Sequence, residues 1–327
     1  MPAIHRLRAV AAVLAISLLA TTVTPLASAA TGSDAAVVAE KRVDERTLDL
    51  VVDSPAMGRQ EKVRLLVPTG WSRQAKRVWP VLYLLHGASG NQLDWTEKGQ
   101  AKEATAGRDV IVVMPNGGSC GNYTDWWNFG KGGPPAWETF HLTELRRLLE
   151  RDYRASARRA IAGLSMGGGG TMTYAGRHPG MFRAAASFSG ALNQFHRTPL
   201  FGQAWKFTIK LGIPACAPGT DWRALWGDPE VPAQLATWHA HNPYHLAGKL
   251  RGLRLYVSAG NGRPGRGDTI LNDPIEEGAY KMGQEFLGQL RAAAIPATTH
   301  FYDGKHTWPH WQRELRAALP LLLADLN

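Results

Sequence analysis

The segment that most constrains the fold of this chain is Gly-Leu-Ser-Met-Gly at residues 163–167. It closes an apolar run at residues 160–164 and opens a helical pattern at residues 166–177. A tight strand-to-helix turn of this kind raises a serine hydroxyl above the sheet, and the flanking glycines avoid collisions that larger side chains would make there. The segment therefore predicts that Ser165 is a nucleophile. The alternative is a glycine-rich structural turn.

Apolar, β-rich runs alternate with helical patterns along the chain. Strands are predicted at residues 47–52, 63–67, 81–85, 110–114, 160–164, 184–188, 253–258 and 298–302. Helices are predicted at residues 137–153, 166–177, 275–293 and 311–326. The later strands are continuously apolar, as expected of strands that helices cover on both faces. Together with the serine turn, this order predicts an α/β-hydrolase fold with a mostly parallel central sheet and helices on both faces.

The predicted domain organisation follows from composition and spacing. We expect one domain at residues 46–327, because α/β folds of this length often form a single unit. About sixty residues separate the strands at 184–188 and 253–258, which is long for a loop without a binding role. We therefore predict a cap of helices and loops at residues 191–252, inserted over the site. Residues 30–45 are small and polar, and they are predicted to form a flexible leader.

The first 29 residues match the pattern of a secretory signal peptide. Basic residues precede an apolar run, and Ala27-Ser28-Ala29 supplies a cleavage motif. A membrane anchor would need about 20 apolar residues, which this run lacks. The chain is therefore predicted to be secreted. In an oxidising compartment Cys120 and Cys216 can form one disulfide, and the alternative is two separate buried thiols.

Charge and composition limit the partners. With 44% hydrophobic and 20% charged residues, the chain falls within ordinary globular usage. Loss of the signal peptide removes Arg6 and Arg8 and no acid, which lowers the net charge from +10 to +8. Scattered basic charge is compatible with solubility or with association with an anionic cell envelope. No nucleic-acid-binding motif is present, so we expect no nucleic-acid partner. The predicted partner is an ester substrate, and the protein is expected to be a monomer.

A serine nucleophile needs a base, and His306 is the predicted base. It lies in the turn after the last predicted strand, where this fold carries its histidine. His300 and His310 compete for the role. His300 falls within the strand and His310 enters the final helix, so position favours His306.

The acid that orients the base is expected after the strand at residues 253–258. The candidates are Asp268, Asp273, Glu276 and Glu277. An apolar stripe along the following helix, residues 275, 279, 282, 286 and 290, places Glu276 beside the buried face and Glu277 nearly opposite. Glu276 is therefore the predicted acid, and Glu277 remains the alternative because helix boundaries are uncertain by a few residues.

Oxyanion donors are predicted at two backbone N–H groups. One belongs to Met166, the residue after the nucleophile, and the other to Ala88 in the glycine-containing loop after the strand at residues 81–85. His86 and Trp308 are predicted substrate contacts. A serine mechanism needs neither metal nor cofactor, so we expect none. The three histidines at positions 239, 241 and 245 are not expected to bind a metal, because Asn242-Pro243 is typical of a helix start.

Several motifs resemble the esterase D-like α/β-hydrolases, in particular a secreted actinobacterial branch that includes the mycobacterial mycolyltransferases. The similar segments are residues 83–87, 114–118, 124–126, 137–140, 163–167, 260–262 and 306–311. The resemblance implies Ser165 as nucleophile, His306 as base, and the Ala88 and Met166 amides as oxyanion donors. The family acid follows a leucine at a helix start, which an ungapped match places at Glu276 and a one-residue gap at Glu277.

Two positions differ from the mycolyltransferases. Where those enzymes carry an aspartate and an arginine associated with the trehalose site, this chain has His86 and Ser89. The resemblance therefore implies a secreted serine carboxylesterase that forms an acyl-enzyme on Ser165. An acyltransferase that uses a sugar or glycerol hydroxyl is the alternative. A non-catalytic envelope-binding protein is the third hypothesis, and an intact triad argues against it.

Overall fold

A computed structural model describes residues 34–198, 202–324 and 326 of the chain. The predicted signal peptide at residues 1–29 lies outside the described residues. The strands are β1 Ala36–Arg42, β2 Thr47–Ser54, β3 Arg59–Leu66, β4 Trp79–Leu85, β5 Ile111–Pro115, β6 Ala155–Leu164, β7 Ala184–Phe188, β8 Arg197–Thr198, β9 Gly202–Gln203, β10 Arg254–Gly260 and β11 Thr298–Tyr302.

Nine of these strands form one sheet in the order β1-β2-β3-β5-β4-β6-β7-β10-β11. The first four in this order pair antiparallel, and every pairing from β5 to β11 is parallel. Strands β8 and β9 form a separate two-stranded ribbon. The carboxyl ends of the parallel strands meet at one edge, which is where an open α/β sheet binds its ligands. The predicted α/β-hydrolase fold is confirmed.

Helices cover both faces of the sheet. They are α1 Asp94–Glu97, α2 Ala101–Ala104, α3 Trp137–Thr139, α4 Arg146–Asp152, α5 Met166–Arg177, α6 Gly212–Cys216, α7 Arg223–Trp226, α8 Pro232–His239, α9 Pro243–Leu246, α10 Pro274–Ala292 and α11 Trp308–Leu323. Short 3-10 or π segments occupy Asn128–Gly130, Phe140–Leu145, Lys206–Leu211 and Ala247–Leu250. No described helix is both long and apolar enough to cross a bilayer.

Side chains of each central strand point alternately into two cores. On β4, Tyr83 and Leu85 face the core that contains α4, α5 and α10, whereas Leu82 and Leu84 face the core that contains α1, α2 and α11. All four are at most 2% exposed. Burial on both faces explains why these strands read as continuous apolar runs.

The predicted flexible leader at residues 30–45 is wrong over most of its described part. Residues Ala36–Arg42 form β1, which pairs antiparallel with β2 at the sheet edge. Six of its seven side chains are exposed, so β1 has no apolar pattern to detect. Backbone hydrogen bonds to β2 hold it in place, and such bonds leave no signature in the side chains.

The predicted insertion contains α6 to α9 and contributes a cluster of tryptophans that is continuous with one of the two cores. Trp205, Trp222, Trp226 and Trp238 lie with neighbouring ring centroids 5.2–5.5 Å apart. Each is at most 6% exposed. These tryptophans are therefore internal to the fold. They stabilise the insertion by packing against one another.

A disulfide joins Cys120 to Cys216, with the two Cα atoms 6.1 Å apart. It links the loop after β5 to α6 in the insertion. The backbone N–H of Trp127 also donates to the carbonyl of Leu225, 2.9 Å away. The insertion is thus attached to the loop that follows β5 by a covalent bond and by a hydrogen bond.

Candidate active site

Ser165 lies at the carboxyl end of β6, in the tight turn that leads into α5. Its backbone has φ 53° and ψ −121°, a strained conformation for a residue with a side chain. A Cβ at Gly163 would lie 2.3 Å from the carbonyl oxygen of Gly167, and one at Gly167 would lie 2.5 Å from that of Leu85. Both flanking positions therefore require glycine. Sequence analysis predicted this turn from the glycines.

His306 follows β11 and contacts both other predicted triad members. Its Nε2 lies 2.9 Å from Ser165 Oγ, and its Nδ1 lies 2.6 Å from Glu276 Oε2. Its backbone N–H donates to Asp273 Oδ2, 3.0 Å away. Asp273 also caps α10 by accepting from the N–H groups of Ile275 and Glu276. One aspartate thus fixes the base and the start of the helix that carries the acid.

Glu276 is fully buried at the start of α10. Its Oε1 accepts from Ser189 Oγ at 2.7 Å and from the N–H of Gly260 at 2.6 Å, while Oε2 faces His306. Three hydrogen bonds stabilise the carboxylate in a site without water access. Glu277 is half exposed and pairs with Lys281. The structure therefore brings Glu276, and not Glu277, into contact with the histidine.

The apolar stripe used to distinguish these two glutamates is wrong at its first member. Ala279, Met282, Phe286 and Leu290 are buried, but Ile275 is 52% exposed. Ile275 lies in the first turn of α10. Glu276 occupies the buried position there because its carboxylate has polar partners.

Two residues that sequence analysis missed support the acid and the base. Trp311 Nε1 donates to Ser189 Oγ at 3.0 Å, and Ser189 in turn donates to Glu276. The Trp311 ring also packs edge-on against His306, with centroids 4.8 Å apart. The signal for Ser189 was its place directly after β7, at the same sheet edge as Ser165.

Both predicted oxyanion donors border Ser165. A Cβ at Gly87 would lie 3.3 Å from Ser165 Cβ, so the loop that contains Ala88 passes beside the nucleophile. Met166 opens α5, and the first N–H groups of a helix have no partner within it. Within the described residues, neither the Ala88 nor the Met166 N–H donates a hydrogen bond. Both remain available to an incoming oxygen atom.

The predicted substrate contact of His86 needs correction. The ring is 1% exposed, its Nδ1 lies 2.7 Å from the carbonyl of Gly87, and its Nε2 accepts from the N–H of Gly117 at 2.8 Å. Burial lowers its pKa, so the ring is neutral with both nitrogens engaged. His86 therefore shapes the loop from beneath and has no free atom for a substrate.

The remaining predicted residues have other neighbours. Trp308 opens α11, is partly exposed, and packs edge-on against Trp95 and Trp311 at 5.5 and 5.3 Å. The competing bases are engaged elsewhere, because His300 pairs with Glu314 and His310 with Asp268. Among the described residues, no cluster of three or more histidine, cysteine, aspartate or glutamate side chains could hold a metal ion.

The sheet, its helices and the turn at Ser165 define the class as the α/β-hydrolase fold. The chain belongs to the esterase family, because the family model described as "Putative esterase" matches residues 54–322. Esterase Rv1288 of Mycobacterium tuberculosis is 32% identical over 265 residues, which cover 77% of this chain and 54% of that protein. This chain therefore spans about half the length of that relative.

Two further proteins resemble nearly the whole fold. Diacylglycerol acyltransferase/mycolyltransferase Ag85B of Mycolicibacterium smegmatis is 31% identical over 285 residues, which cover 83% of this chain and 82% of that protein. The crystal structure of MPT51 from Mycobacterium tuberculosis superposes with a TM-score of 0.68 at 26% identity, covering 85% of this chain and 98% of MPT51. Relatives of this family thus include proteins named as esterases and proteins named as acyltransferases.

Proposed function

We propose that this protein is a serine carboxylesterase that hydrolyses acyl esters through an acyl-enzyme on Ser165. The observation that carries the proposal is the continuous hydrogen-bonded line from Ser165 Oγ through His306 to the buried Glu276. A hydroxyl is a weak nucleophile until a base accepts its proton, and a carboxylate behind the base stabilises the resulting imidazolium. Membership of the esterase family supports the same chemistry.

Acylation starts when His306 Nε2 accepts the Ser165 proton as Oγ attacks the ester carbonyl. The carbonyl oxygen becomes an oxyanion, which the N–H groups of Ala88 and Met166 stabilise. The C–O bond to the alcohol then breaks, and His306 donates its proton to the leaving alkoxide. Glu276 accepts a hydrogen bond from Nδ1 throughout and holds the ring in the required tautomer.

Deacylation repeats these steps with water as the nucleophile. His306 takes a proton from water as its oxygen attacks the acyl carbon, and the tetrahedral intermediate collapses to release the acid. Ser165 Oγ leaves as an alkoxide and recovers its proton from His306. The net reaction consumes one water and yields one acid and one alcohol.

Water, and not a sugar, is the proposed acceptor. The mycolyltransferase positions with an aspartate and an arginine are His86 and Ser89 here, and His86 is buried with both nitrogens engaged. Charge-assisted hydrogen bonds, each worth about 1.5 to 3 kcal/mol, are therefore missing from a sugar site. Transfer to a sugar or glycerol hydroxyl is the second candidate function, and the Ag85B resemblance favours it.

Export is part of the proposal and rests on the signal-peptide pattern of residues 1–29. The N-terminal sequence of the protein recovered from the culture medium would test it. A mature chain that begins near Ala30 is expected.

Active-site labelling tests the proposed nucleophile. A fluorophosphonate should label the wild-type protein at Ser165, and turnover of a short p-nitrophenyl ester should fall by about 10⁶ in Ser165→Ala, because the triad acts as a unit. Ser72→Ala, a partly exposed serine next to Trp71, which contacts Tyr153 just before β6, lies at the opposite end of that strand from Ser165 and should retain labelling and activity. Substantial ester turnover by folded Ser165→Ala would contradict the assignment.

Product analysis tests the acceptor. The wild-type enzyme is incubated with a medium-chain ester and excess trehalose or glycerol, and the products are separated by mass spectrometry. Free acid is expected as the main product. Trehalose or glycerol esters as the main product would replace the hydrolase by the acyltransferase.

A further inference from the structure

The loop between β10 and α10 exposes the most solvent-accessible large apolar side chains of the described residues. Ile270 is 91% exposed and Leu271 is 71% exposed. Single exposed aliphatic residues are common on protein surfaces, but two adjacent ones at the tip of a loop are a specific feature. We call residues 263–272 the apolar loop.

The apolar loop is attached beside the candidate active site at its middle and just after its C-terminal end. Asp268 accepts from His310 Nε2 at 3.0 Å, and Thr269 Oγ1 lies 2.6 Å from Lys305 Nζ. Asp273, directly after the loop, accepts from the N–H of His306. Ile270 and Leu271 therefore project into solvent from a loop whose neighbouring residues are hydrogen-bonded to the segment that carries His306.

The two arginines of the apolar loop face solvent, whereas its single carboxylate faces the protein. Arg263 and Arg266 are exposed, and within the described residues neither guanidinium has an ion-pair partner. The loop's one carboxylate, Asp268, is 10% exposed and points back towards His310. The exposed surface of the loop thus combines two adjacent aliphatic side chains with two arginines that precede them and have no acidic partner in the described part of the chain.

We propose that the apolar loop docks the protein on an anionic lipid surface, with Ile270 and Leu271 inserted among the acyl chains and Arg263 and Arg266 on the headgroups. Aliphatic side chains gain from leaving water, and each interfacial arginine gains from an anionic surface potential. The contacts are few, so the association is weak and reversible. This proposal does not rest on the esterase activity, although docking here would bring Ser165 close to esters held in a lipid assembly.

Vesicle co-sedimentation tests the proposal with the mature protein carrying Ser165→Ala, so that turnover cannot alter the lipid. Vesicles prepared from phosphatidylcholine with about 30% phosphatidylglycerol should bind the protein. Vesicles of pure phosphatidylcholine should bind it several-fold more weakly. Ile270→Ser/Leu271→Ser should weaken binding to the mixed vesicles by about tenfold or more. Arg263→Gln/Arg266→Gln should lose about fivefold per arginine and most of the sensitivity to salt.

A matched control replaces two exposed valines at the opposite edge of the sheet. Val38 and Val43 are 50% and 45% exposed, at β1 and just after it. Val38→Ser/Val43→Ser should bind the mixed vesicles as the parent does. In a wild-type background, Ile270→Ser/Leu271→Ser should turn over a short soluble ester at the normal rate, which shows that the variant is folded.

Three outcomes would overturn the proposal. The first is equal vesicle binding by the parent and by Ile270→Ser/Leu271→Ser. The second is equal loss of binding in the valine control. The third is a raised KM for soluble esters with unchanged vesicle binding, which would make the apolar loop a contact for single acyl chains. None of these results bears on whether Ser165 is the nucleophile.

Discussion

At the scale of single residues, Glu276 is a fully buried carboxylate, which needs hydrogen-bond partners to be stable. A buried carboxylate without partners would be costly, and this one receives hydrogen bonds from Ser189, Gly260 and His306. Trp311 holds Ser189 in turn. The acid is therefore oriented by groups from three different elements before any substrate binds, as electrostatic preorganisation requires.

Replacement of Glu276 by glutamine should reduce kcat by at least about 10³, because a neutral amide stabilises neither the tautomer nor the imidazolium. Glu277→Gln is the matched control and should leave kcat almost unchanged, since Glu277 is half exposed and pairs with Lys281. Steady-state turnover of a p-nitrophenyl ester measures both. A large effect at Glu277 with a small one at Glu276 would move the acid by one residue.

At the scale of elements, the disulfide is the strongest single connection between the insertion and the rest of the fold. Cys120 and Cys216 are 96 residues apart in sequence, so the bond closes a long loop of the unfolded chain. Closing such a loop removes conformational entropy from the unfolded state.

Replacement of both cysteines should lower the free energy of unfolding. Cys120→Ser/Cys216→Ser is expected to lose about 2 to 4 kcal/mol, measured by urea denaturation. The double variant avoids leaving one reactive thiol. Reduction of the wild-type protein should produce a similar loss, and an unchanged midpoint in both experiments would refute the stabilising role.

At the scale of the whole molecule, buried neutral histidines link stability to pH. Burial lowers the pKa of His141 to about 3 and lowers that of His86 as well. His141 Nε2 lies 2.8 Å from the carbonyl of Asn116, and Nδ1 lies 2.9 Å from the Tyr174 hydroxyl. The neutral ring is satisfied on both sides, and a charged ring would lose the bond in which Nδ1 accepts.

These depressed pKa values predict a loss of stability in acid. Unfolded histidines titrate near pH 6.5, so between that value and the folded pKa the unfolded state binds more protons. Stability is therefore fully present above pH 6.5 and falls as the pH decreases towards 3. His141 raises the unfolding equilibrium constant by about tenfold per pH unit in this window, and the lowered pKa of His86 acts in the same direction.

Denaturation curves at pH 6, 5 and 4 test this expectation. His141→Gln keeps a donor and an acceptor but cannot titrate, so its unfolding constant should depend less steeply on pH, by about tenfold per unit. Equal slopes for wild-type and variant would show that His141 is not a source of the acid sensitivity.

The sequence alone was sufficient for the fold class and for the central strands. Strands buried on both faces appear in the sequence as apolar runs. The turn at Ser165 appears as flanking glycines that no larger residue can replace. It also indicated His306 from its place after the last strand. These features are local, and each leaves a pattern within a few neighbouring residues.

Tertiary structure alone decided the features that depend on partners distant in the chain. The edge strand β1 forms through backbone bonds to β2, and His86 turns inward because Gly117, 31 residues away, supplies a donor. Periodicity favoured Glu276 over Glu277, but the hydrogen bonds of Glu276 to Ser189 and His306 appear only in the folded chain. The tryptophans of the insertion are buried because they pack against one another. Burial and hydrogen bonding between distant segments are properties of the folded chain, so composition and periodicity cannot reveal them.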